Sequence, residues 1–154
     1  MSTQYWLMKS EPNVYSIDDL KREGRTHWEG VRNYQARNFM RDQMNLNDRV
    51  LFYHSNCNPP GIVGLATVSK LAYPDFFAWD SSSPYFDPKA SPEKPIWMMV
   101  DVDYEAHFSK IISLEQLKNE AALAGMLVAK KGMRLSIQPV TQAHFDHVLE
   151  MAKH

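Results

Sequence analysis

Cysteine is nearly missing from this chain: Cys57 stands alone, which excludes an internal disulfide and fits a reducing compartment. Its neighbours Asn56, Asn58 and Pro59, with His54 nearby, read as a loop rather than as the setting of a nucleophile. Long apolar runs are absent too, and none approaches the roughly 20 residues that cross a bilayer. The start Met1-Ser2-Thr3-Gln4 has neither a basic region nor an apolar core, so no signal peptide is expected. Neither sign of charge dominates. The net charge is −1, which excludes coating of nucleic acid by bulk electrostatics.

Catalytic signatures are missing as well. There is no glycine-rich phosphate loop, nucleophile elbow, Cys-x-x-Cys or His-Glu-x-x-His. His27, His54, His107, His144, His147 and His154 carry no metal-ligand spacing, and His144 and His147 read as surface positions of a helix. A cytoplasmic protein (nuclear if eukaryotic) is expected, monomeric and without membrane contact, metal or cofactor.

What is present is an ordinary globular composition, 44% hydrophobic and 23% charged over 154 residues, enough for one domain spanning 1–154. The most informative stretch is Trp28-Glu29-Gly30-Val31-Arg32-Asn33-Tyr34-Gln35-Ala36-Arg37-Asn38-Phe39-Met40-Arg41. It sets rings, amides and arginines side by side, with no acid between Val31 and Arg41. Rings stack on nucleobases, amides read base edges and arginines hold phosphates. An amphipathic helix after a surface turn accounts for the same stretch. Residues 21–49 hold seven Lys or Arg against four Asp or Glu, and Lys130, Lys131 and Arg134 form a second basic group.

Periodicity and turn chemistry predict the order β-α-α-β-β-β-α-β-α. Tyr5 to Lys9 reads as a strand ended by Ser10-Glu11-Pro12-Asn13, and Ser16 caps a helix from Ile17 to Glu23 that Gly24 stops. Asn33 caps a second helix to about Met44, followed by strands Arg49 to His54 and Gly61 to Val68. Gly61 and Gly64 predict a bulge or tight bend. Residues 71–95, with five prolines and four serines among many aromatics, read as a long functional loop. Alternation predicts a strand from Ile96 to Tyr104, and Ser113-Leu114-Glu115-Gln116 is a capping box opening a helix to about Ala121. Arg134 to Gln138 reads as a strand closed by Pro139, and Thr141 caps a last helix through Met151. This order suits a small mixed or antiparallel barrel with helices packed outside.

Several motifs, in order, carry a family resemblance. Tyr5-Trp6-Leu7-Met8-Lys9-Ser10-Glu11-Pro12, Trp28 to Asn38, Leu51-Phe52-Tyr53-His54-Ser55-Asn56, Tyr73-Pro74-Asp75 and Arg134-Leu135-Ser136 resemble the EVE domain. The resemblance runs from about Tyr5 to Met151 and covers a family with many small bacterial members. It implies an α+β fold, a PUA-like mixed or antiparallel β-barrel with helices packed around it, and kinship with the RNA-binding YTH domain. It also implies recognition of a modified base, notably a methylated or hydroxymethylated cytosine, in DNA or RNA. Lys9, Ser10, Glu11 and Trp28 resemble the positions that line the family's pocket. One departure matters: YTH domains place an asparagine where Glu11 falls, so their adenine-reading contact does not carry over.

A flipped base needs a flat clamp, edge readers and a cationic rim. Trp28, with Tyr34 beside it, is the expected first wall, although a buried core anchor is the alternative for Trp28. Trp79, Tyr85 or Phe86 is expected to supply the second wall, and Glu11, Asn33 and Ser55 to read the edge. Glu11 paired with Lys9 in a turn is the alternative for that acid. Arg32, Arg37 and Arg134 are the expected phosphate or stacking contacts. Two other functions compete with this binding module: an enzyme on a nucleotide or RNA using Glu11, His54 and Asp75, and an adaptor docking a protein on aromatic residues of 73–97.

Overall fold

The computed structural model describes residues 3–153; Met1, Ser2 and His154 lie outside the described residues, and with them the reading of the N-terminal start and of His154. Local chemistry sets the helix ends. In α1 (Ile17–Glu23), Ser16 Oγ accepts from Asp19 N at 3.1 Å while Asp19 Oδ2 accepts from Ser16 N at 2.9 Å, a reciprocal cap. Gly24, at φ 81°, ends the helix. Asn33 caps α2 (Tyr34–Asn38), which widens into a π-helical turn over Phe39–Gln43. The single helix expected to Met44 is therefore two helical forms end to end. Ser113 and Thr141 cap α3 (Leu114–Asn119) and α4 (Gln142–Ala152).

Six strands form one sheet: β1 (Tyr5–Ser10), β2 (Arg25–His27), β3 (Arg49–His54), β4 (Gly61–Pro74), β5 (Met98–Ser113) and β6 (Ile137–Val140), in the order β2-β5-β4-β3-β1-β6. β1 and β3 run parallel and the other pairings are antiparallel. β4 and β5 are longer than their patterns predict, because each is the other's partner from Gly61↔Ser113 to Pro74↔Met98. That pairing holds the polar stretch after Tyr104 in strand form, and it shortens the long loop at its start. A register shift between Ile62 and Gly64 supplies the expected bulge. At both Gly61 and Gly64 a Cβ would strike the carbonyl of the facing strand, Ile112 O and Ala106 O.

Two expectations are corrected. The last strand lies at Ile137–Val140, not from Arg134 to Gln138, and Pro139 sits inside it rather than closing it. Its missing N–H is tolerated because β6 is an edge strand. The expected barrel is also not closed by strand pairing: β2 and β6 remain the two edges of an open mixed α+β sheet. Closure needs a continuous ladder, and β2 has three residues and β6 four.

The alternating strand pattern divides the core. Trp6, Met8, Val50, Phe52, Val100 and Val102 pack with Ile17, Leu20, Ala36 and Met40 from α1, α2 and the π turn. Leu7, Leu51, Tyr53 and Ile62 pack on the other face with Leu117, Phe145 and Val148 from α3 and α4. Asp48, fully buried, pins the first face. Its carboxylate accepts from Trp6 Nε1 at 3.0 Å, Gln4 N at 3.0 Å and Asn45 N at 2.8 Å.

Replacing Asp48 with Ala strands those donors. Urea unfolding of D48A should show a loss of about 2–4 kcal/mol, since each buried donor left unpaired costs about 1–3 kcal/mol. A loss within experimental error would mean that water substitutes for the carboxylate.

Candidate functional site

Because β1 and β3 are parallel, their carboxyl ends leave the sheet side by side, with Ser10 opposite His54. Ser55 N donates to Ser10 O at 3.0 Å, and Asn56 Nδ2 donates to Glu11 Oε1 at 2.8 Å. This joins Lys9-Ser10-Glu11 to Ser55-Asn56 as one wall of a cleft of about 630 Å³. The segment entering β6 adds Met133, Arg134 and Ser136, with Lys9 N donating to Ser136 O at 2.8 Å. The opposite wall is Thr26 to Arg32, with Tyr85 of the long loop packed against it at Gly30. Thus residues of one sheet edge, β2, and of the lead into the other, β6, line the same opening.

The wall at Trp28 follows from a backbone constraint. Trp28 N donates to Val100 O at 2.8 Å, and the indole meets Phe52 edge-on at 5.4 Å. At 7% exposure the ring is a core anchor, the alternative weighed for it, while the residue also borders the cleft. Gly30 then takes φ +84°, and a Cβ there would lie 2.6 Å from the Tyr85 ring. Only glycine lets the tyrosine rest so close.

A buried carboxylate holds this arrangement. Asp75 accepts from Gly30 N at 2.9 Å, Arg32 Nη1 at 3.0 Å and Phe77 N at 3.0 Å. Arg32 also donates to Tyr85 O through Nη2 at 2.7 Å and Nε at 3.2 Å, and to Val31 O at 3.0 Å. The guanidinium that was expected on a phosphate is therefore engaged in fixing Tyr85, at the inner rim of the cleft.

Of the other expected residues, Lys9, Ser10, Glu11, Ser55 and Arg134 line the cleft. Glu11 is exposed at the rim and pairs with Asn56 rather than Lys9. Lys9 Nζ points to Met133 O at 3.4 Å, and burial pushes its pKa down. Arg134 is exposed, with no hydrogen bond or ion pair among the described residues. Four expected pocket residues lie elsewhere. Asn33 uses its amide oxygen to cap α2, accepting from Ala36 N at 3.0 Å. Tyr34, 59% exposed, stacks on Trp97 at 4.8 Å. Trp79 packs against the small cluster of Ala78, Ala90 and Trp97, and Phe86 is 44% exposed outside the cleft. Arg37 is also outside it, donating to Ile96 O at 3.0 Å and to Asn38 Oδ1 at 3.1 and 2.9 Å.

The proposed acid-base trio does not assemble. Asp75 holds the three donors already named, and His54 Nε2 accepts from Ile17 N at 3.1 Å, outside the cleft. No group of three or more His, Cys, Asp or Glu that could hold a metal occurs among the described residues. No helix among them is long and apolar enough to cross a membrane.

Sequence reasoning passed over Tyr15, Thr26, His27, Glu29 and Met133, which also line the cleft. Thr26 and His27 lie in a strand too short to show a period. Glu29 stands beside Trp28 in the sequence, where nothing local marks its burial. Its carboxylate Oε2 is closed off from solvent and faces His27 Nε2 at 3.1 Å, an ion pair whenever that histidine is protonated. Burial pushes its pKa up; a hydrogen bond from its own backbone N–H and the charge of His27 oppose the shift, and Asp75 and Glu23 add to it. Tyr85 is likewise raised, first by burial and then by Glu29.

Comparison with known proteins agrees with this site's motifs, since a family model described as EVE domain matches residues 4–151. The chain belongs to the EVE domain family. This EVE domain is 44% identical to mouse thymocyte nuclear protein 1 over 167 aligned positions, covering 97% of the chain and 74% of that protein. A solved hypothetical protein from Leishmania major superposes with a TM-score of 0.94 at 47% identity, covering 99% of this EVE domain and 96% of that chain. The human THYN1 protein, solved in complex with 5-methylcytosine-containing DNA, superposes at 0.90 with 42% identity and 99% coverage of both chains.

Gly30→Ala is expected to displace the Tyr85 ring and to lower stability by about 1–3 kcal/mol through strain at positive φ. Thermal unfolding together with a crystal structure of the variant checks this. An unmoved ring in an equally stable protein would show that the close approach of Gly30 and Tyr85 does not set the wall.

Proposed function

We propose that this PUA-like domain is a nucleic-acid-binding module that receives a flipped, modified cytosine, 5-methylcytosine above all, in the cleft between Trp28 and Tyr85. The observation that carries the reading is the cleft itself. It has a volume of about 630 Å³, with Trp28, Tyr85, Lys9 and Arg134 among its lining residues. Rings supply stacking, the cations meet the flanking phosphates, and the hydroxyls and amides of Ser10, Ser55 and Asn56 offer polar contacts along the rim. The human THYN1 complex with 5-methylcytosine DNA supports the same choice of partner.

In this reading Arg134 is the phosphate contact, while Arg32 acts through Tyr85 by holding its carbonyl. DNA is the favoured strand type and RNA the alternative, and the domain acts as a monomer. It functions by binding rather than catalysis: the cleft offers clamp and rim, and Asp75 is already committed to three donors.

Titration with matched oligonucleotides tests this, the central base being cytosine, 5-methylcytosine, 5-hydroxymethylcytosine or N6-methyladenine, in DNA and RNA at two salt concentrations. 5-Methylcytosine should be preferred over cytosine by up to about tenfold, because burying one methyl contributes on the order of 1 kcal/mol. Tyr85→Ala should abolish that preference. Arg134→Ala should weaken all oligonucleotides alike and flatten the salt dependence. Equal, salt-sensitive binding of every base by the wild type would leave only phosphate contacts and overturn the proposal.

A further inference from the structure

Outside the cleft, one surface joins an exposed ring to a cation with donors to spare. Tyr34, the first residue of α2, is largely exposed although its ring stacks on Trp97 at 4.8 Å with the planes 26° apart. Arg37, one turn further along, lies 4.8 Å from the Tyr34 ring and 5.9 Å from the Trp97 ring. A guanidinium so near to both rings stands beside the stacked pair, which leaves the outer face of Tyr34 open. Trp97 beneath is fixed: its Nε1 donates to Asp87 Oδ2 at 2.8 Å, and it packs with Ala78 and Ala90. The tyrosine is therefore a platform on a rigid seat.

The cation is held in place without being used up. Arg37 donates through Nη1 to Ile96 O at 3.0 Å, and through Nε and Nη2 to Asn38 Oδ1 at 3.1 and 2.9 Å. Both acceptors are neutral, and of the five N–H donors of a guanidinium two stay available. Asp42, an acid within the influence of Arg37, is engaged by Arg41 at 2.8 and 3.0 Å.

The platform is continuous with the cleft. Arg32 lines the cleft, 5.7 Å from the Tyr85 ring and 5.5 Å from the Trp97 ring. Tyr85, Arg32, Trp97 and Tyr34 thus follow one another at ring-scale spacings from the inner wall to the surface.

We infer that Tyr34 is a second stacking site for nucleic acid, taking a base one or two nucleotides from the flipped one on the same strand, with Arg37 on its phosphate. This deepens the proposed function and rests on it. A nucleotide is a flat base joined to an anion, and an open ring with a fixed cation at its edge complements both parts. Stacking accepts every base, because each has a π face. The site therefore adds affinity without adding sequence preference, and recognition of the modified base stays with the cleft. Its base must be free of duplex neighbours, so the strand around the modified cytosine is engaged unpaired.

The test measures affinities of the wild type, Tyr34→Ala and Tyr34→Phe for single-stranded DNA with one central 5-methylcytosine. An abasic site replaces each of the two nucleotides on either side in turn. Y34A should weaken binding of the intact strand by about 5- to 150-fold, the range for loss of one stacked base. Y34F keeps the ring and should bind like the wild type. One abasic position should weaken the wild type by the same factor and leave Y34A unchanged, since base and platform are lost together. The preference for 5-methylcytosine over cytosine should be the same in Y34A. The abasic scan of the wild type decides the matter even where Y34A is unstable. A flat scan, or losses from Y34A and the abasic site that add, overturns the stacking site and leaves the cleft reading intact. A flat scan with unchanged affinity in Y34A would assign the exposed ring to a protein partner instead. Failure of the wild type to prefer 5-methylcytosine in the intact strand overturns the cleft reading, and this one falls with it.

Discussion

The carboxylate of Asp75 is the contact on which the cleft depends. It is fully buried and lies at the end of β4, where the sheet gives way to the long aromatic loop. Its donors come from three places: the backbone of Gly30, the guanidinium of Arg32 and the turn at Phe77. One charged group thus ties the segment after β2 to the loop that carries Tyr85. The charge is tolerated in the interior because both oxygens are hydrogen-bonded, one of them to an opposite charge. Arg32 extends the network by clamping Tyr85 O, so ring and carboxylate are positioned by the same guanidinium.

Around that anchor, topology gathers the remaining walls. The parallel pair β1 and β3 sends two chain segments out at the same carboxyl end of the sheet, a place where α/β proteins commonly bind ligands. The sheet stays open, and residues of β2 and of the approach to β6 meet at the resulting gap.

Much of the fold was legible in the chain. The caps at Ser16, Asn33, Ser113 and Thr141 stand where turn chemistry puts them, since a side-chain oxygen reaches its own helix within three residues. The strands at Tyr5 and Arg49 followed from short apolar runs between turns. β2 and the far half of β5 were not legible, because a three-residue strand has no period and a polar strand is held by its partner rather than by its own pattern. In the cleft, Trp28 and the Lys9-Ser10-Glu11 turn were readable from motifs, whereas Trp79, Tyr85 and Phe86 could not be told apart. All three stand among turn residues, and only the clamp from Arg32 distinguishes Tyr85.

The sequence by itself determined the local and the compositional: the helix ends, the strand faces and the motif set of the EVE family. These depend on residues a few positions apart, whose interactions are fixed by backbone geometry. Tertiary structure alone decided which arginine fixes a wall and which stays exposed, which aromatic faces Gly30, and that Glu29 turns a sealed oxygen towards His27. Each of those is settled by contacts between segments 40 or more residues apart, or by the exclusion of water. Neither separation nor solvation is written in the order of the chain.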